Sequence, residues 1–101
     1  MRKILLGCIL FASAALFAGA WTDDFEAAKK LSKEKNLPLM LDFTGSDWCG
    51  WCKLMDRKVF AEKTWDDWAK ANLVCVTVDF PRAASKVSPK TREQNEKLLA
   101  R

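Results

Sequence analysis

The stretch Asp42–Lys53, DFTGSDWCGWCK, places Cys49 and Cys52 two residues apart beside two tryptophans, in a chain of 101 residues without histidine. Cysteines at this spacing form a metal clip, a structural staple or a pair of thiols that exchange electrons. The preceding residues LMLDF form the short, almost continuous apolar run that is typical of a parallel strand. TGSD then predicts a turn, and a helix is expected to begin at Trp48 or Cys49.

A position between a strand and a helix favours chemistry at the cysteine pair. Backbone N–H groups at the start of a helix stabilise a thiolate, so we expect a lowered pKa at Cys49. Cys52 follows about one turn later, within bonding reach of Cys49. A disulfide across two residues constrains the unfolded chain very little, which disfavours a purely structural staple. We predict that Trp48, Gly50 and Trp51 form the substrate-binding surface, with glycine allowing close approach of a partner's backbone.

Asp42 is predicted to be the third catalytic residue. Alternation along the strand puts Leu39, Leu41 and Phe43 on one face, and Met40 with Asp42 on the other. A carboxylate in so apolar a strand is costly unless it is paired or protonated, and burial would raise its pKa. From behind the cysteines it would accept the proton that Cys52 must lose. The alternative is a solvated aspartate at the end of the strand.

Metal binding by the cysteine pair is the weaker interpretation. Structural zinc generally requires four Cys or His ligands, and covalent haem attachment requires a histidine where this chain has Lys53. Two thiolates would suit copper or another soft metal, but neither Met nor His lies close enough in sequence to complete a site. Cys75 lies within a β-branched run and is expected to be a small buried apolar residue. The sequence therefore predicts no metal, and no cofactor apart from a redox-active Cys49–Cys52 disulfide.

Residues 1–20, MRKILLGCILFASAALFAGA, have the pattern of a secretory signal peptide. Arg2 and Lys3 precede an apolar run that ends at Phe17, and Ala18-Gly19-Ala20 is a small-x-small cleavage pattern. The run is shorter than the roughly 20 residues that span a bilayer. We therefore expect a mature domain at residues 21–101, periplasmic or secreted, with no stable membrane span after cleavage.

The charge of the chain excludes a nucleic-acid surface. Removing residues 1–20 takes away two basic residues and no acidic one, so the net charge falls from +4 to +2. The remaining lysines and arginines are scattered among acidic residues, without the basic patch of a nucleic-acid-binding protein.

The rest of the chain predicts an α/β fold with the order helix, strand, helix, strand, helix. Two apolar strands separated by helix indicate a parallel βαβ unit. Thr22 is the expected cap of the first helix, and Trp65 and Trp68 of a later helix are expected to pack against the sheet. The predicted helices are Asp23 to Asn36, Trp48 or Cys49 to Phe60, 64–72 and 88–101. The predicted strands are 39–43 and 73–80.

The segments LMLDFTGSDWCGWCKLMDRKVF and LVCVTVDF resemble the thioredoxin-like family. The likeness extends over roughly Asp24–Arg101 and is greatest to exported bacterial thiol–disulfide interchange proteins with a Trp-Cys-x-x-Cys-Lys site. It implies that Cys49 is the attacking thiol, that Cys52 is the resolving thiol and that Asp42 matches the family's buried acid. It also implies protein thiols or disulfides as substrates and a separate redox partner protein.

The sequence departs from the family pattern in three places. The loop between Asp42 and Cys49 is one residue longer than the common form, and Trp51 replaces a frequent proline. The family's cis-proline loop, C-terminal hairpin and final helix have no counterpart, so we expect an incomplete thioredoxin-like fold. The alternative function is therefore a catalytically weak or truncated module that binds another chain through its sheet edge and tryptophans.

Overall fold

A three-stranded parallel sheet forms the centre of the computed structural model, which describes residues 20–101. The strands are β1 (Trp21–Thr22), β2 (Leu39–Thr44) and β3 (Val74–Asp79), in the spatial order β1-β3-β2. Trp21 pairs with Cys75 in β3, and the β2–β3 register runs from Leu39↔Val74 to Thr44↔Asp79. The central strand β3 is hydrogen-bonded on both sides, which explains why its β-branched run is the most buried part of the chain.

Helices connect and flank these strands in the predicted order. They are α1 (Phe25–Lys35), α2 (Gly50–Met55), α3 (Lys63–Asn72) and α4 (Pro89–Leu99). A π-helical turn, Asp56–Phe60, continues directly from α2, and a short 3₁₀ turn, Ala84–Lys86, precedes α4. The predicted α/β arrangement and its parallel βαβ unit are thus confirmed, with β1 as an additional strand that the sequence did not predict.

The start of the first helix differs from the prediction. Thr22 was expected to cap it, but Thr22 belongs to β1 and pairs with Val76. Because this pairing keeps the backbone extended, the helix begins later, at Phe25. Asp24 is the cap, and its Oδ1 accepts a hydrogen bond from the N–H of Ala27 at 3.1 Å. Asn36 ends the helix with a left-handed φ of 56°, as expected near this position.

The sheet has a hydrophobic cluster on each face. Helices α1 and α4 contribute Phe25, Ala28 and Leu98 to the first cluster, where they meet the valines of β3. On the other face, Ala69 of α3 packs with Cys75, which is fully buried as predicted. The alternation of side chains along β3 explains this division, because successive residues point to opposite faces.

The two tryptophans of α3 have different environments. Trp65 packs against the second cluster and lies 5.2 Å from the Phe60 ring, between ring centroids, as its predicted core role requires. Trp68 is 53% exposed, so the prediction that it packs against the sheet is wrong. The buried Ala69 is the next residue along the helix, and adjacent helical residues point about 100° apart.

Most of the predicted signal peptide lies outside the described residues. Of residues 1–20 only Ala20 is described; it is buried, and its carbonyl accepts the N–H of Cys75 at 3.1 Å. In the described part of the chain, no helix combines the length and the apolar character that crossing a membrane requires.

A polar network attaches α4 to the sheet. Asn95 is 1% exposed, and its Nδ2 donates a hydrogen bond to the carbonyl of Asp79 at 2.9 Å. Gln94 donates to Asn95 Oδ1 at 3.0 Å and accepts the N–H of Phe25 at 3.0 Å. The network therefore ties α4 to the end of β3 and to the first residue of α1.

Replacing Asn95 with alanine should lower the free energy of unfolding by about 1–3 kcal/mol, because a buried carbonyl then loses its hydrogen-bond donor. Urea denaturation followed by circular dichroism measures this change. The neighbouring Glu96→Ala is a matched control at an exposed position of α4, where we expect a change within about 0.5 kcal/mol. Equal effects of the two substitutions would contradict the assigned role of the network.

Candidate active site

Cys49 and Cys52 form a disulfide at the beginning of α2. Cys49 is the N-terminal cap, and its Sγ accepts the N–H of Cys52 at 3.2 Å. The two Cα atoms are 5.2 Å apart, and both cysteines are half-buried. The pair thus occupies the first turn of a helix, where backbone N–H groups are available to a sulfur carrying negative charge.

The Trp48 side chain is held against the residues that follow β3. Its Nε1 donates a hydrogen bond to the carbonyl of Phe80 at 2.7 Å, and the Arg82 guanidinium lies 5.7 Å from the centroid of its ring. The indole also covers Gly45 so closely that a Cβ atom there would overlap the ring. Trp48 remains 47% exposed, so one part of the indole is fixed while another part faces solvent.

Two aspartates attach the loop before the cysteines to the end of β3. The N–H of Ser46 donates to Asp79 Oδ1 at 2.8 Å. The carboxylate of Asp47 accepts the N–H groups of Arg82 and Ala83, each at 2.9 Å. The hydrogen bond from Ala83, followed by that from Arg82, holds the pKa of Asp47 below its usual value. The loop that positions the disulfide is therefore anchored by charged side chains to backbone groups.

Gly50 and Trp51, both predicted to contact substrate, lie on the open side of the disulfide. Trp51 is 82% exposed, and apart from the chain neighbours of Gly50 and the backbone of its own helix, no atom of the described residues lies within 4 Å of a Cβ placed on Gly50. The structure therefore brings the predicted substrate-binding residues together around the cysteines. Their role in binding stays a prediction.

Asp42 lies in β2, opposite Thr77 of β3, and lines a cavity of about 330 Å³. Burial raises the pKa of its carboxyl, and the negative charge of Asp56 raises it further. This agrees with the perturbed acid that the apolar strand predicts. The lining of the cavity includes Asp42 and the turn after α2 but neither cysteine, so the catalytic role of Asp42 stays a prediction.

Three groups around the site were not identified from sequence: Gly45, Asp47 and Asp56. Asp47 contacts backbone groups 35 and 36 residues later, and no local pattern indicates such a contact. Asp56 lines the Asp42 cavity from a π-helical turn that no simple periodicity predicts. The unusual length of the Asp42–Cys49 loop was the one available signal for Asp47. Within residues 20–101 no group of three or more His, Cys, Asp or Glu residues is placed to hold a metal ion.

The family model described as thioredoxin-like matches residues 20–98, which include the whole sheet and the disulfide. The chain belongs to the thioredoxin-like family. This membership agrees with the resemblance of the motif and with the parallel β2–α2–α3–β3 unit. It also accounts for the position of the cysteine pair after β2, at the start of a helix.

Two curated proteins of Chlamydia pneumoniae are similar to this chain. One is named disulfide bond reductase DsbH and is 33% identical over 78 residues, which are 77% of this chain and 46% of the relative. The other is named thioredoxin-related protein DsbJ and is 32% identical over 81 residues, which are 80% of this chain and 23% of the relative. The chain thus spans less than half the length of either relative.

A solved structure titled DsbH oxidoreductase superimposes on this fold with a TM-score of 0.74 at 32% sequence identity. The match covers 82% of this chain and 57% of the solved chain. The described residues therefore correspond to about half of that solved structure.

Replacing Asp47 with alanine should accelerate amide hydrogen exchange at Arg82 and Ala83, because both N–H groups lose their acceptor. The pKa of Asp47 is lower in the folded than in the unfolded protein, so its stabilising effect is complete above the usual aspartate pKa. That effect disappears as the pH falls through the depressed pKa of the folded state. In the wild type the two amides should therefore lose protection only in strong acid.

Asp67→Ala is the matched control, since hydrogen bonding and charge attraction from Lys63 lower the pKa of that exposed carboxylate as well. Exchange at Arg82 and Ala83, followed by NMR, should be unchanged in this variant. Wild-type protection of both amides in Asp47→Ala would show that the carboxylate does not anchor the loop.

Proposed function

We propose that this chain is a thiol–disulfide oxidoreductase that exchanges disulfides with protein substrates through Cys49 and Cys52. The observation that carries the proposal is the position of the disulfide, at the first turn of α2 beside open space at Gly50. The names of the DsbH relative and of the solved structure support the same reaction class.

The reaction begins when the Cys49 thiolate attacks a substrate disulfide. A bond forms between Cys49 and one substrate sulfur, and the other substrate sulfur leaves as a thiolate. The Cys52 thiolate then attacks Cys49 in this mixed disulfide. The Cys49–Cys52 bond forms, the second substrate sulfur leaves, and the substrate has gained two electrons. The cysteine pair supplies both electrons, so no further cofactor takes part. The reverse order of steps would oxidise a substrate.

Substrate binding is assigned to Trp48, Gly50 and Trp51. The exposed indole of Trp51 offers apolar surface to a visiting chain, while Gly50 leaves room for that chain's backbone beside the sulfurs. The hydrogen bond to the carbonyl of Phe80 fixes the Trp48 indole, which would form a rigid side of the binding surface. Such a surface suits protein segments without a strict sequence requirement, and a second redox protein would restore the thiols.

One observation favours the second candidate, a binding or assembly module with weak catalysis. Among the described residues β2 pairs with β3 on one side only, and Phe43 at its end is 45% exposed. An open strand edge beside apolar side chains is a surface on which another chain can add a strand. Such a module would bind its partner equally well when the cysteines are replaced by serine.

We also propose that the protein acts in the periplasm or outside the cell, where disulfides persist. The support is the signal pattern of residues 1–20, followed by the domain at residues 21–101. Amino-terminal sequencing of protein recovered from the periplasmic fraction tests this proposal. Trp21 is the expected first residue, whereas a cytosolic protein that retains Met1 would contradict it.

Single cysteine substitutions separate the enzyme from the binding module. Cys49→Ser should abolish reduction of a model protein disulfide, and Cys52→Ser should accumulate a mixed disulfide because the resolving thiol is missing. Insulin reduction and non-reducing electrophoresis measure these effects. Cys75→Ser is the control, because that buried thiol takes no part in the mechanism. Wild-type turnover in Cys49→Ser, or no trapping in Cys52→Ser, would contradict the proposed mechanism.

A further inference from the structure

The guanidinium of Arg82 lies over the indole of the tryptophan that precedes the disulfide. Its Cζ is 5.7 Å from the centroid of the Trp48 ring, and Cys49 is the next residue along the chain. Arg82 is exposed and follows β3, on the loop that leads to α4. A cation in this position is attracted by the negative face of the ring. The contact therefore places a permanent positive charge against the side chain next to Cys49.

Hydrogen bonds to and from the backbone hold both partners of this contact. Trp48 Nε1 donates to the carbonyl of Phe80 at 2.7 Å, and the N–H of Arg82 donates to Asp47 Oδ1 at 2.9 Å. The indole also lies against Gly45, where a Cβ atom would overlap it. Because the ring and the backbone of Arg82 are already fixed, the arginine loses less conformational freedom when it binds a ligand.

The charge of Arg82 has no carboxylate partner within residues 20–101. The ion pairs in that part of the chain all involve lysines. Asp47 contacts the backbone of Arg82, but its two oxygens accept the N–H groups of Arg82 and Ala83. A guanidinium that meets a ring through its flat face keeps its five N–H donors free, since they lie in the plane of the group. Arg82 is therefore able to accept a carboxylate from another chain.

The loop that carries Arg82 is positively charged. Residues 81–91, PRAASKVSPKT, contain three basic residues and no acidic one. Hydrogen bonds from backbone N–H groups hold the pKa of Asp47 below its usual value, and the positive charge of Lys86 contributes to this. Asp79, the second acid at this junction, accepts a backbone N–H from the loop before the cysteines. The loop thus presents positive charge, with Arg82 as the cation that contacts the site.

We propose that Arg82 is a specificity-determining residue for disulfide exchange, which selects protein substrates with an acidic residue beside the disulfide. The inference rests on the proposed function and names the substrate class of the same site. A guanidinium binds a carboxylate through two parallel N–H···O bonds, and opposite charges also accelerate the encounter of two proteins. A carboxylate bound by Arg82 beside the Trp48 ring would hold the adjacent disulfide near Cys49, where Gly50 leaves room for the substrate backbone.

Arg82 would act on substrate binding and not on the exchange of bonds. The Cys49 thiolate attacks one substrate sulfur and the other leaves as a thiolate, whatever residues flank the substrate disulfide. The guanidinium stays protonated, so it transfers no proton in these steps. Its contribution should therefore appear in the KM for acidic substrates, with kcat nearly unchanged.

The test uses three model peptides that share one internal disulfide and differ in the two residues beside it, which are glutamate, glutamine or lysine. Their reduction, with dithiothreitol as the electron donor, is compared in the wild type, Arg82→Gln, Arg82→Lys and the control Lys30→Gln, which removes a charge from the exposed side of α1. In the wild type, kcat/KM should be about two- to fivefold higher for the glutamate than for the glutamine peptide, as the strength of an exposed ion pair implies.

The variants should separate the charge of Arg82 from its geometry. Arg82→Gln should abolish the preference for the glutamate peptide, and Arg82→Lys should keep only part of it, because lysine retains the charge without the planar donors. Lys30→Gln should keep the full preference, and rising ionic strength should weaken it in the wild type. A wild type without preference, an equal loss of preference in Lys30→Gln, or an equal loss of kcat/KM for all three peptides in Arg82→Gln would each overturn the proposal.

Binding without turnover distinguishes failure of this inference from failure of the proposed function. Cysteine-free forms of the three peptides are titrated into the wild type and Arg82→Gln, and the NMR signal of the Trp48 indole N–H is followed. The glutamate peptide should shift this signal at the lowest concentration, and only in the wild type. That result would support the role of Arg82 even in a protein that reduces no disulfide, where the proposed function alone fails. Equal titrations with all three peptides would contradict the role of Arg82 in a protein that remains an active reductase.

Discussion

The parallel pairing of β2 with β3 is the constraint on which the site depends. Its register ends at Thr44↔Asp79, so both strands stop at the same edge of the sheet. The loop that leads to the cysteines therefore meets the end of β3 and the segment that follows it. Ser46 and Trp48 donate hydrogen bonds across this junction, and the carboxylate of Asp47 accepts one from the N–H of Arg82. Without this shared edge, these hydrogen bonds could not form, and the loop that carries the disulfide would not be held in place.

The helical segment after this loop carries two parts of the candidate site, the disulfide and Asp56. Its first turn carries the disulfide, where backbone N–H groups favour a negatively charged sulfur. Its continuation into a π turn carries Asp56, which lines the same cavity as Asp42. The disulfide and Asp56 are thus held by one continuous helical segment, whereas Asp42 comes from β2. Movement of that helix would change both together.

Local patterns predicted most of the fold, and contacts distant in sequence explain what was missed. The valine run of β3 and the Ser88-Pro89 start of α4 are signals contained in a few adjacent residues. By contrast, β1 has two residues and exists because β3 offers it hydrogen bonds. The cysteine pair was recognised from spacing and context alone. Asp47 and Asp56 were not, because their partners come from other elements of the fold.

Because Cys75 is buried, its reaction with an alkylating reagent would report when the sheet opens. This thiol packs with Ala20 and with Ala69 of α3 and has no exposed surface. Burial raises its pKa, which keeps it protonated and unreactive. In a reduced sample, an alkylating reagent would reach Cys49 and Cys52 from the folded state, whereas Cys75 would be labelled only in molecules whose sheet has come apart. The rate at which Cys75 is labelled would therefore measure how often the central strand β3 becomes exposed.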